Sequence, residues 1–150
     1  MVTGSPAEIP LLASIRGLLP DALRNRVGFY TDFQLLDLAA ALSMQTALTV
    51  SSTGPMHVAG IVGTPVVALF SPHPAHVKEK WAPLGSMHTL LVAPLEAGED
   101  PRIPREQGTA TMARISVETV LEANLKYAKQ ALAAPATLMH GRTSSPPKAA

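Results

Sequence analysis

At 150 residues, 47% of them hydrophobic and only 15% charged, the chain has room for one core of ordinary size and is more apolar than most soluble domains. The 12 Lys and Arg against 11 Asp and Glu leave a formal net charge of +1 with no long basic run, which excludes a broad electrostatic footprint for nucleic acid. The absence of cysteine excludes disulfides, thiolate catalysis and Cys-ligated zinc, and fits a reducing compartment such as the cytoplasm.

The chain opens on Met1-Val2-Thr3 followed by Gly4-Ser5-Pro6, which reads as the end of a strand turning into a helix rather than as a secretory signal. Ile9, Leu11, Leu12, Ile15, Leu18 and Leu19 follow at roughly helical spacing, and Pro20 and Asp21 close that helix. Residues 26–30 carry the β-branched and aromatic content of a short second strand. Asp32 is a suitable N-cap for a helix built on Phe33, Leu35, Leu36, Leu38, Ala39 and Leu42.

Ala47-Leu48-Thr49-Val50 is a third strand, and Pro55 opens a helix that Gly63 ends. Pro65-Val66-Val67-Ala68-Leu69-Phe70 is apolar on both faces, as a central parallel strand is. The longest apolar stretch, residues 58–70, is interrupted by Gly60, Gly63, Thr64 and Pro65 and is too short to cross a bilayer as a helix. Thr89-Leu90-Leu91-Val92 reads as one more strand. Ser116 caps a last helix through Ala133, with Val117, Val120, Leu121, Leu125, Ala128 and Leu132 expected on its buried side. Residues 135–150, rich in Ser and Pro, are expected to be disordered.

Strands alternating with helices predict an α/β fold: a Rossmann-like parallel sheet of about five strands, helices on both faces, and a ligand site at the carboxyl ends of the strands. That places the site after Thr3, Tyr30, Val50 and Phe70.

The densest candidate chemistry lies in Ser51-Ser52-Thr53-Gly54-Pro55-Met56-His57. Small residues between a buried strand and a helix start bring backbone N–H groups and the positive helix end to one place, where an anion fits. Ser52 and Thr53 can donate hydroxyls, Gly54 allows close approach, and His57 in the first turn can offset negative charge. An ordinary strand-to-helix turn with hydroxyl capping, and a His57 that merely packs, explain the same residues locally. His73 and His76 form a His-x-x-His pair with no third ligand, so no metal is expected. Asp32, Asp37 and Glu79 read as a cap, a surface charge and a loop charge, and none is a catalytic choice.

The run Val50-Ser51-Ser52-Thr53-Gly54-Pro55-Met56-His57-Val58-Ala59-Gly60-Ile61-Val62-Gly63-Thr64-Pro65-Val66-Val67-Ala68-Leu69-Phe70, with Trp81-Ala82-Pro83-Leu84-Gly85 after it, resembles the signature of glycosyltransferase family 9, the lipopolysaccharide heptosyltransferases. The resemblance implies a GT-B glycosyltransferase of two Rossmann-like domains and covers only the second, the nucleotide-sugar-binding half. It assigns residues 1–134 to that domain, incomplete at its start, and leaves the acceptor domain with its acidic general base without a counterpart.

Carried over by position, Ser52, Thr53, Gly54 and His57 would contact the donor diphosphate, although many heptosyltransferases have Asp where this chain has Ser52. Glu8 matches a family carboxylate that accepts from the ribose hydroxyls, beside its local reading as a helix-start charge. Phe33 falls where the family sets a side chain against the nucleobase, beside its reading as core. The implied donor is a nucleotide-sugar, ADP-heptose, with a lipopolysaccharide core-type acceptor and no further cofactor or metal. The implied place of work is the cytoplasm, at the cytoplasmic face of the inner membrane. The competing reading is a non-catalytic nucleotide-binding module, or a truncated remnant, which the high apolar fraction also fits.

Overall fold

The computed structural model describes residues 1–74, 78–85, 87–102 and 108–134, and shows an α/β chain that divides into two compact units, Met1–Ala41 and Leu42–Ala150. His76 of the His-x-x-His pair and the tail 135–150 lie outside the described residues.

In the first unit, β1 (Val2–Thr3) pairs in parallel with β2 (Phe29–Tyr30), Val2 opposite Phe29 and Thr3 opposite Tyr30. Between them a single 3-10 turn (Pro6–Glu8) leads into α1 (Ile9–Leu18), and a four-residue helix, α2 (Asp21–Arg24), follows. The start of α1 is set by a capping box: the Ser5 N–H and hydroxyl both donate to Glu8 Oε2, at 2.7 and 2.8 Å. The Tyr30 ring lies close over Gly28, so that a Cβ there would come within 2.7 Å of it and the ring would have to shift. The next helix, α3 (Leu35–Ser43), starts two residues later than the sequence suggests. Asp32 does not cap it. Instead the Gln34 N–H donates to Asp37 Oδ2 at 3.3 Å, so the acidic residue inside the first turn does the work expected of the one before it.

The second unit holds a three-stranded parallel sheet in the order β3 (Leu48–Ser51), β4 (Val66–Phe70), β5 (His88–Val92). The expected single sheet is therefore found as two, of two and three strands. The central strand β4 buries Val66, Val67, Ala68 and Phe70, which accounts for its apolar character on both faces. The helix α4 (Gly54–Val62) packs Met56 and Ala59 into the same core and stops at Gly63, whose φ of 78° lies in the left-handed region that glycine tolerates. Buried Thr64 then donates its hydroxyl to the Leu42 carbonyl at 2.7 Å, tying the turn to the last residues of α3. Gly60 faces the Leu84 backbone so closely that a Cβ would sit 2.5 Å from the Leu84 carbonyl oxygen.

Short helices α5 (Lys78–Trp81) and α6 (Gly108–Met112) flank β5 in the chain, and α7 (Val117–Ala133) ends the described residues. Ser116 caps α7 as expected, its hydroxyl oxygen accepting from the Thr119 N–H at 3.2 Å. The face that α7 turns to the sheet is not the expected one. Thr49, Val67 and Thr89 stand abreast in the register of the three strands, and the two threonines take polar partners on α7. The Thr49 hydroxyl donates to Asn124 Oδ1, and the hydroxyls of Thr89 and Tyr127 share a hydrogen bond, both at 3.0 Å. Tyr127 is buried, while Val117, Leu121, Leu125 and Leu132 are exposed.

Candidate functional site

Parallel pairing in register, with Ser51 opposite Leu69 and Phe70 opposite Val92, brings the carboxyl ends of β3, β4 and β5 to one edge of the second unit. Three loops leave that edge, and the loop between β3 and α4 is only two residues long, so its geometry is fixed by the strand before and the helix after. Thr53 takes an extended conformation, with φ −138° and ψ 174°, and is the N-cap of α4. Its hydroxyl does not cap the helix but donates back to the Ser51 carbonyl at 3.2 Å. Pro55 has no N–H to give, and the Met56 N–H is taken by the Thr53 carbonyl at 3.0 Å.

The N–H groups of Ser52, Thr53 and Gly54 take no partner within the chain among the described residues. Three consecutive donors without a chain partner thus stand at the positive end of a helix, where the dipole favours an anion. A Cβ built on Gly54 meets no described atom within 4 Å, so protein packing does not call for glycine at this position. The Ser52 hydroxyl and the His57 ring, both half-buried, make no side-chain hydrogen bond to described residues. Ordinary hydroxyl capping, the competing local explanation of the turn, is thus not what the turn does.

Ser71, at the exit of β4, was not picked out by motif. Its Oγ accepts from the His73 N–H at 3.2 Å and turns the chain away from the strand end. The strand-end rule alone could have marked it. The loop after β5 is held by a two-armed ion pair. The Arg114 guanidinium donates to both carboxylate oxygens of Glu99, with the Nη2 arm to Oε1 at 3.0 Å, and also to the Pro94 carbonyl at 3.3 Å. Hydrogen bonding to Arg114, and then to the Glu96 N–H, holds the Glu99 carboxyl below its ordinary pKa, while Glu99 raises Arg114. A depressed carboxylate adds stability above the ordinary carboxylate range and loses it as pH falls through the folded value. Between about pH 6 and about pH 3, Glu99→Gln should therefore lose less melting temperature than the parent protein, read by thermal denaturation at each pH.

The remaining expected contacts belong to the first unit, where Glu8 follows β1 and Phe33 follows β2. Glu8 is the capping-box acceptor, and the Ser5 backbone bond, then the Ser5 hydroxyl, lowers its pKa. Both bonds fall on Oε2, so Oε1 stays open to a hydroxyl donor. Phe33 is half-buried and stacks on Tyr30, ring centroids 5.1 Å apart at 19°, so one of its faces is already covered. Among the described residues no group of three or more His, Cys, Asp or Glu could hold a metal ion, and no helix is long and apolar enough to cross a membrane.

Residues 12–109 match the family model described as glycosyltransferase family 9 (heptosyltransferase). Among solved structures the chain is similar to the glycosyl transferase family 9 protein from Veillonella parvula DSM 2008, at 24% identity and a TM-score of 0.67. That likeness covers 85% of this chain and 36% of the other, and at this identity it speaks for the fold. No curated protein matches.

Proposed function

We propose that this chain, which belongs to glycosyltransferase family 9, supplies the donor-binding part of a sugar transferase, holding the diphosphate of a nucleotide-sugar at residues 51–57. The observation that carries this reading is the row of free N–H groups at Ser52, Thr53 and Gly54, set at the start of α4 with open space over Gly54. Those donors and the helix end favour charge as it builds on the diphosphate leaving group, and His57 adds a proton donor one turn in. No metal is needed for that neutralisation.

Glu8 Oε1 is assigned to the ribose diol, and Phe33 to the nucleobase. ADP-heptose is the proposed donor and a lipopolysaccharide core-type acceptor the proposed target. The acceptor and its general base are assigned to a separate part of the complete transferase, since the chain spans only 36% of the family structure it matches.

Calorimetric titration with ADP, UDP, GDP and adenosine tests the assignment. ADP should bind most tightly, and His57→Ala should weaken ADP by about tenfold while leaving adenosine unchanged, the loss of one charge-assisted contact. Equal losses for ADP and adenosine would remove His57 from the diphosphate. No binding of any nucleotide at millimolar concentration would remove the donor site.

A further inference from the structure

A face of α7 beside the one that meets the sheet carries a second apolar stripe. Leu121, Leu125, Ala128 and Leu132 recur at intervals of four, three and four, the spacing of a coiled-coil seam, and the three leucines are 55%, 44% and 87% exposed. The sheet is served by Asn124 and Tyr127 on a neighbouring face, so the three leucines of the seam stay exposed while Ala128, next to Tyr127, is half-buried.

We infer that α7 pairs with α7 of a second copy of this chain, antiparallel, about a two-fold axis near the middle of the helix. The seam is self-complementary in that direction. Placing Leu121 against the partner's Leu132 sets Leu125 against the partner's Ala128, and the two-fold repeats both layers, large side chain to small at the centre. The charges at the edge of the seam fix the direction. Glu122 and Lys129 are seven residues apart, occupy the same flanking position in successive repeats, and are both exposed. In an antiparallel pair that flank meets itself, so Glu122 faces the partner's Lys129 and Lys129 faces the partner's Glu122. A parallel pair would set this flank against Asn124 and Ala131, which offer no opposite charge.

Sedimentation equilibrium of the full chain should show a dimer at micromolar concentration. Leu125→Lys should abolish it with the far-ultraviolet circular dichroism unchanged, while Leu36→Lys, an exposed site in the first unit, should leave it intact. Glu122→Lys should weaken the dimer by about tenfold, as two attractive pairs become repulsive. The double variant Glu122→Lys/Lys129→Glu should restore it, which a general effect on helix stability would not do. A monomeric parent chain, a dimer that survives Leu125→Lys, or a double variant no tighter than Glu122→Lys would each overturn the inference.

Discussion

Replacing Phe70 by alanine is expected to cost about 3–5 kcal/mol, the range for truncating a fully buried aromatic side chain. Phe70 is 0% exposed and closes the central strand, opposite Val92 of β5. The loss combines the transfer free energy of the ring with the void left between layers already in contact, and β4 cannot move to fill it because it is paired on both sides. Against a typical domain stability of about 5–15 kcal/mol, that is enough to leave the second unit marginal. Urea unfolding followed by circular dichroism measures it, with Met44→Ala as control. Met44 is exposed and should change stability by less than about 0.5 kcal/mol. A Phe70→Ala cost under about 1 kcal/mol would mean that the core lies elsewhere.

Gly54→Val is expected to do the opposite, sparing the fold and removing the ligand. No described side chain or distant backbone atom lies within 4 Å of the added Cβ, so the variant should melt within a few degrees of the parent, valine being no poorer a helix former than the glycine it replaces. The same side chain would add bulk next to the Ser52 and Thr53 N–H groups, where the proposed diphosphate approaches the backbone. Nucleotide affinity should fall by at least about tenfold, or about 1.4 kcal/mol. Gly60→Val is the informative contrast, since its Cβ would strike the Leu84 backbone and the damage would appear in stability first. A Gly54→Val variant that binds ADP as the parent does would place the diphosphate elsewhere.

Local chemistry in the sequence revealed the elements far better than their partners. Pro55 and Gly63 bracket α4, Ser116 caps α7, and the apolar run of β4 could only be a strand covered on both sides. These signals act within a few residues and are written in residue type. The start of α3 is ambiguous in the sequence because Asp32 and Asp37 offer similar carboxylates, and only backbone geometry decides which one reaches an N–H. The buried face of α7 was misread because the strongest hydrophobic arc on a helix is not always the one that docks. Thr49 and Thr89, far apart in sequence and abreast in the sheet, draw Asn124 and Tyr127 inward and leave the leucines out. The ion pair of Glu99 and Arg114 has no local signal at all.

The candidate site was legible to the extent that it is local. Ser52, Thr53, Gly54 and His57 are consecutive or nearly so, and the strand before and helix after them shape one turn. What the sequence could not show is where the Thr53 hydroxyl points: it bonds backward to the Ser51 carbonyl and leaves the start of α4 without a side-chain cap. Glu8 and Phe33 each have a structural partner, Ser5 and Tyr30, that residue type alone does not reveal.

The most direct test of the donor-diphosphate site is a 1H–15N spectrum of the uniformly labelled chain titrated with ADP. The amides of Ser52, Thr53 and Gly54 should show the largest shifts and move together along one binding curve, as three donors closing on one anion. Saturable shifts centred on another part of the chain, or none at these three amides at millimolar ADP, would contradict it.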